Sequence, residues 1–232
     1  MFGQVAPTEF DLRFSVFGIP VRVHPFFWLV AALMGSNTLS HPDLGPPYLF
    51  VWIACLFFSI LIHELGHALT AKYFGWPPEI MLYFMGGVAM FRPGVGFTAS
   101  RSILISFAGP CAGFMLYGSV VVFEQYLVRS NQVPGLVVLF AIYQLKWINL
   151  WWGLVNLLPV LPLDGGRICE SVCTSLRPRD GELWALRIGM IVAGGVALLF
   201  LSLKFMYPGF LFGYLCFNNF QMYQAYKGRG SW

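Results

Sequence analysis

The sequence predicts an all-α polytopic membrane protein of about six transmembrane helices, with small membrane-associated β-hairpins near the cytoplasmic face. Three observations predict it. Of the 232 residues, 58% are hydrophobic and only 10% are charged, whereas a soluble domain carries about a quarter charged residues. Uncharged apolar runs recur at or beyond the roughly 20 residues that a bilayer helix requires. Two stretches depart from this pattern, "LRFSVFGIPVRV" at 12–23 and "IMLYFMGGVAMF" at 80–91, each joining two β-prone runs through a glycine turn signal.

Taken in order, residues 1–24 hold no apolar core followed by a small-residue cleavage site, so no cleavable signal is expected. Spans are drawn at 25–39, 48–73, 103–128, 136–158, 186–205 and 209–226. The first is the shortest and runs into the polar "GSNTLSHPDLGPP". Extended backbone at membrane depth is tolerated only where protein or a water-filled cavity covers it. The two hairpins are therefore expected to lean on the helices near the inner face as one small sheet. Residues 161–187 read as a polar loop, and no internal repeat or separate soluble domain is found, leaving one integral membrane domain over 1–232.

With the N-terminus placed inside, 11 of the 14 Lys and Arg fall on inner segments, and Arg129, Lys146 and Lys204 are the exceptions. Positive charge in short loops marks the cytoplasmic side, so both termini are expected in the cytoplasm, and the expected location is a bacterial inner (plasma) membrane. The net charge of +4 is dispersed, which gives no sign of a nucleic-acid surface. Cys169 and Cys173 share a helical face, but no second cysteine pair accompanies them, and they read as packing residues.

One apolar run, "LFFSILIHELGHALTAKYFG", carries His63, Glu64 and His67 in the pattern H-E-x-x-H. Positions i and i+4 lie on one helix face, so His63 and His67 can present two imidazoles to one ion, with Glu64 beside them. Ionisable groups inside a span are costly and mark function by default. Two imidazoles at this spacing suit Zn²⁺, and a catalytic zinc usually has three protein ligands and an exchangeable water. If Lys72, Tyr73 and Trp76 mark the inner interface, His63 lies about 14–20 Å below it.

The third ligand has to come from elsewhere. The metzincin extension would place Gly at 70 and His at 73, where this chain has Thr70 and Tyr73. Glu79 follows too closely behind the Trp76–Pro77–Pro78 break, Glu124 belongs near the opposite face, and His24 and His41 read as interfacial or loop residues. Asp164 is the attractive candidate. It follows "NLLPVLPL", where Pro159 and Pro162 interrupt a hydrophobic span, and an interrupted helix exposes backbone groups that a site or water must satisfy. A plain Asp-Gly turn is the competing reading.

These motifs resemble the site-2 protease family of intramembrane zinc metalloproteases. "HELGH" in an early span and "NLLPVLPLDGG" in a later one match its two long motifs, "FAGPCAGF" is similar to its Ala-Gly-Pro segment, and "MGGVAMF" resembles its strand loop with paired glycines. Gly113 departs from the pattern, since many relatives have Asn there. Gly109 and Gly113 also read as a small-x-x-x-small face for close helix approach.

The resemblance implies a catalytic core over about 48–176 and peptide-bond hydrolysis at one Zn²⁺ per chain held by His63, His67 and Asp164. Zinc lowers the pKa of a bound water and polarises the scissile carbonyl. Glu64 is then the general base and the acid that returns the proton. Asn156 is placed to donate a hydrogen bond to the oxyanion or substrate backbone, or else to a neighbouring helix. The expected partners are a transmembrane protein substrate, the lipid bilayer and a regulatory membrane protein. A zinc transporter or a noncatalytic metal-binding membrane protein is the alternative, and Glu64 is the feature neither requires.

Overall fold

The computed structural model describes residues 6–40, 45–84 and 86–229. His41 and Met85 lie outside the described residues. The chain divides into two compact units, Met1–Val95 with Cys111–Gly153, and Gly96–Pro110 with Leu154–Trp232.

The first unit begins with β1 (Leu12–Val16) and β2 (Ile19–Val23). Phe17 and Gly18 between them have φ of 53° and 69°, the paired positive values of a type I′ hairpin turn. Then come α1 (Pro25–Met34), α2 (Asn37–Ser40), α3 (Pro46–Tyr73), β3 (Pro78–Tyr83) and β4 (Gly86–Phe91). Both expected hairpins form, and they join in a four-stranded sheet of order β1-β2-β3-β4. The junction between them is parallel, with Val21 opposite Ile80. Parallel strands need a long crossover, which α1 to α3 provide. Alternation along β2 buries Ile19, Val21 and Val23, and these pack with Ile80, Leu82 and Ala89 against Ile60, Leu61, Leu65 and Ala68 of α3.

Polar contacts pin the sheet to its surroundings. Lys72 Nζ, in the last turn of α3, donates to the Phe17 carbonyl at 2.7 Å. Arg22 binds Asp11 at 3.0 Å. Desolvation works to raise the Asp11 pKa, but hydrogen bonds from the Thr8 side chain and backbone and from Arg22 outweigh it and hold the carboxyl at about 2.

Four helices among the described residues are long and apolar enough to cross a membrane: α3, α4 (Ala99–Arg129), α5 (Leu136–Asn156) and α7 (Gly181–Ser202). The expected count of six is corrected at both ends. The span drawn at 25–39 is the 10-residue α1 followed by the short α2, and α1 rises only about 15 Å. It need not be longer, because the chain enters it from the sheet. The His24 N–H donates to the Leu82 carbonyl at 2.9 Å, and Trp52 of α3 donates to the Ala31 carbonyl at 2.9 Å. The span drawn at 209–226 is a true helix, α8 (Met206–Arg229). Asn218, Asn219, Gln221 and Gln224 make its second half too polar to count as a span.

The polar loop expected at 161–187 is also corrected, because it contains α6 (Asp164–Leu176). Asp164 in its first turn suits the positive end of the helix dipole. The helix stops before Arg177–Pro178, where the residue preceding proline leaves the helical region. The second unit combines α6, α7 and α8 with the start of α4. Its apolar core gathers Val160, Ala193, Ala197, Phe212 and Leu215.

Candidate metal centre

An uninterrupted α3 delivers the two histidines. His63 and His67 are 3% and 7% exposed, their rings meet edge to face, and their Nε2 atoms stand 3.2 Å apart. Two nitrogens at zinc-binding length, subtending a tetrahedral angle, are about 3.3 Å apart. The pair therefore fits one tetrahedral ion without rearrangement.

Glu64, 5% exposed, is the next residue on α3 and turns its carboxylate toward β4. A Cβ added to Gly87 would stand 2.7 Å from Glu64 Oε1. Only a residue without a side chain lets the strand backbone come so close. The expected approach of the second hairpin to the spans is thus realised at Gly87. Gly86, with φ of 115°, lies against the Trp152 ring.

One turn before His63, Ser59 is buried and accepts from Asn149 Nδ2 of α5 at 2.9 Å, while the same amide donates to the Leu145 carbonyl at 2.8 Å. Ser59, His63 and His67 form one polar stripe at four-residue intervals on α3. The sequence reading missed Ser59 and Asn149. The available signal was Ser59 four residues before His63 in an otherwise apolar run. A Cβ on Gly113 would meet Asn149 Oδ1 at 3.7 Å, an ordinary van der Waals contact, so the helices do not approach closely enough there to demand glycine.

Other sequence candidates are occupied elsewhere. His24 is a buried residue of the β2–α1 connection that caps α1, its Nδ1 accepting from the Phe26 N–H at 3.2 Å. Glu79 is exposed on β3. Glu124 pairs with Lys146 at 2.6 Å, which satisfies two charges carried on apolar helices. Cys169 and Cys173 lie 4.0 Å apart on α6 as free thiols, and burial pushes the Cys169 thiol up to about 11.

Asp164 and Asn156 belong to the second unit. Asn156 ends α5, and Asp164 starts α6. Between them the backbone turns on itself, with the Val160 N–H on the Leu158 carbonyl at 2.7 Å and the Leu163 N–H on the Val160 carbonyl at 2.8 Å. Gly165 and Gly166 let the first turn of α6 lie on this segment, for a Cβ at Gly166 would meet Leu161 N at 2.5 Å and the Val160 carbonyl oxygen at 2.6 Å.

Residues 118–201 match peptidase family M50. A zinc metalloprotease of Methanocaldococcus jannaschii is 30% identical over 207 residues, covering 88% of this chain and 54% of the relative. Stage IV sporulation protein FB of Bacillus subtilis is 30% identical over 152 residues, 65% of this chain and 46% of that protein. The chain spans about half the length of these curated relatives. The solved structure of a site-2 protease from Methanocaldococcus jannaschii superposes with a TM-score of 0.62 at 27% identity, covering 92% of this chain and 95% of that one. Long apolar helices beside a small sheet, the H-E-x-x-H helix and this shared architecture agree: the chain is an integral membrane protein similar to the site-2 proteases.

Proposed function

We propose that this chain is a zinc metalloendopeptidase that hydrolyses peptide bonds within or near transmembrane segments of membrane proteins. The observation that carries the reading is the pair of buried Nε2 atoms 3.2 Å apart on an apolar helix, with Glu64 between the two histidines in sequence. Asp164 is the third ligand in this reading, and the donor set of two imidazoles and one carboxylate is that of a catalytic zinc site. One zinc per chain would supply Lewis acidity for the scissile carbonyl and acidify the attacking water.

The remaining steps belong to the chain's own residues. Glu64 accepts the proton of the water at its carboxylate and returns it to the leaving amine. Gly87 confines that carboxylate from the β4 side. Asn156 donates a hydrogen bond to the developing oxyanion or to substrate backbone. A transmembrane helix hides its carbonyls in its own hydrogen bonds, so the substrate has to unwind before it is attacked. β4 is an edge of the sheet and carries Gly87 against Glu64, so a strand added to that edge would lie beside the base. Cytoplasmic termini, in this reading, require the chain to return to the inner face through α1 and α8 as well as through the four long apolar helices.

The test is cleavage of a single-span model substrate by purified protein, with zinc analysis of the same samples. Wild type should cleave and hold one zinc per chain. Glu64→Gln should keep the zinc and lose about 10²–10⁴-fold in turnover or more, the usual contribution of a general base. A Glu64→Gln variant that turned over like wild type would end the assignment.

A further inference from the structure

Asn219 on α8 is wholly buried, at 0% exposure. Its Nδ2 donates to the Leu161 carbonyl at 2.7 Å, across 58 residues of sequence, and to the Leu215 carbonyl of its own helix at 2.8 Å. The opposite wall is Gly189 of α7. A Cβ there would stand 2.6 Å from Asn219 Oδ1 and 3.4 Å from the Pro159 carbonyl, so the missing side chain makes room for both the amide and the interrupted segment. Leu161 is thus held from two directions, by the Asn219 amide at its carbonyl and by the Gly166 backbone crossing its nitrogen. Asp164 sits three residues further on, at the head of the helix that rests on this segment.

An amide buried among apolar helices is costly unless it is bonded, and here it spends both donor hydrogens on carbonyls. One of them is on a segment where Pro159 and Pro162 cannot donate backbone hydrogen bonds of their own. We infer that Asn219 is a positioning residue for Asp164: by holding the Leu161 carbonyl it fixes the interrupted segment, and with it the direction in which the Asp164 carboxylate is presented to the metal. The inference rests on the reading of Asp164 as a zinc ligand. Partners one step removed from a ligand typically change metal affinity 10–100-fold.

A double-mutant cycle on zinc affinity, measured by chelator competition on the full chain in detergent, tests it. Asn219→Leu should weaken zinc about 10–100-fold, and Asp164→Ala should weaken it more. The double variant should bind no more weakly than Asp164→Ala alone, because residues acting through one another do not add. Gly189→Ala, which drives a methyl into the Asn219 amide, should reproduce the Asn219→Leu loss and serves in its place if that variant fails to fold. Full affinity in Asn219→Leu or Gly189→Ala beside a weakened Asp164→Ala, or losses that add in the double variant, would overturn the positioning role alone. Unchanged affinity in Asp164→Ala would instead overturn the ligand reading beneath it.

Discussion

The two histidines and Asp164 are carried by backbones of opposite kind. His63 and His67 ride a 28-residue helix without a break, and the helical period puts them on one face, where their Nε2 atoms stand 3.2 Å apart. Asp164 stands where a helix has ended, two prolines have intervened and a new helix begins, on backbone held by glycine contacts and a distant asparagine. A regular helix positions its side chains through local backbone hydrogen bonds that neighbouring substitutions other than proline leave standing. An interrupted segment has few such bonds, so its geometry depends on residues remote in sequence. Substitutions near the histidines should therefore have separable effects, and substitutions near Asp164 should not.

The largest expected effect is in the interrupted segment. Gly165→Ala would drive a methyl to 2.5 Å from the Leu158 carbonyl oxygen, a backbone atom that cannot swing aside. It should destabilise the protein by about 1–3 kcal/mol or more, as overpacking does, and weaken zinc at the same time. Thermal unfolding and zinc affinity measured together check this, and a variant as stable and as tight as wild type would erase the contrast between the two regions.

Gly87→Ala should separate what Gly165→Ala couples. The atoms nearest the new methyl all belong to Glu64, so zinc affinity should hold while turnover falls, by roughly tenfold for each 1.4 kcal/mol of strain placed on that carboxylate. Parallel loss of zinc would show that the sheet also supports the metal.

The smallest effect is expected at Asn149→Leu, which removes the donor to Ser59. Loss of this hydrogen bond should cost about 0.5–1.5 kcal/mol of stability. Because α3 places the histidines by its own period, zinc affinity should stay within about twofold, well under one pK-equivalent of 1.4 kcal/mol. A tenfold loss would mean that the helix needs lateral support as the interrupted segment does.

The same contrast explains what could be read in advance. His63, Glu64 and His67 were legible because a period of 3.6 residues converts spacing into direction. Both hairpins were legible from their glycine signals, although Gly86 and Gly87 are strand residues of β4 paired with Tyr83 and Leu82 and not the turn itself; the parallel junction of β2 with β3 was not legible, since it joins strands separated by three helices. α6 was hidden by its polarity, because a 13-residue helix with no continuous apolar run looks like a loop beside membrane spans. Ser59 and Asn149, 90 residues apart, meet only through helix packing. The contact of Gly87 with Glu64 depends on the sheet as a whole, so a turn glycine in the sequence becomes a wall of the site in the fold.

X-ray absorption at the zinc edge of the purified protein is decisive for the proposed single zinc on His63, His67 and a carboxylate oxygen. The spectrum should show two imidazoles, with every remaining ligand a nitrogen or oxygen donor at about 2.0–2.2 Å. Fewer than two imidazoles, or a sulfur scatterer at about 2.3 Å of the kind Cys169 and Cys173 would give, would contradict the proposed site.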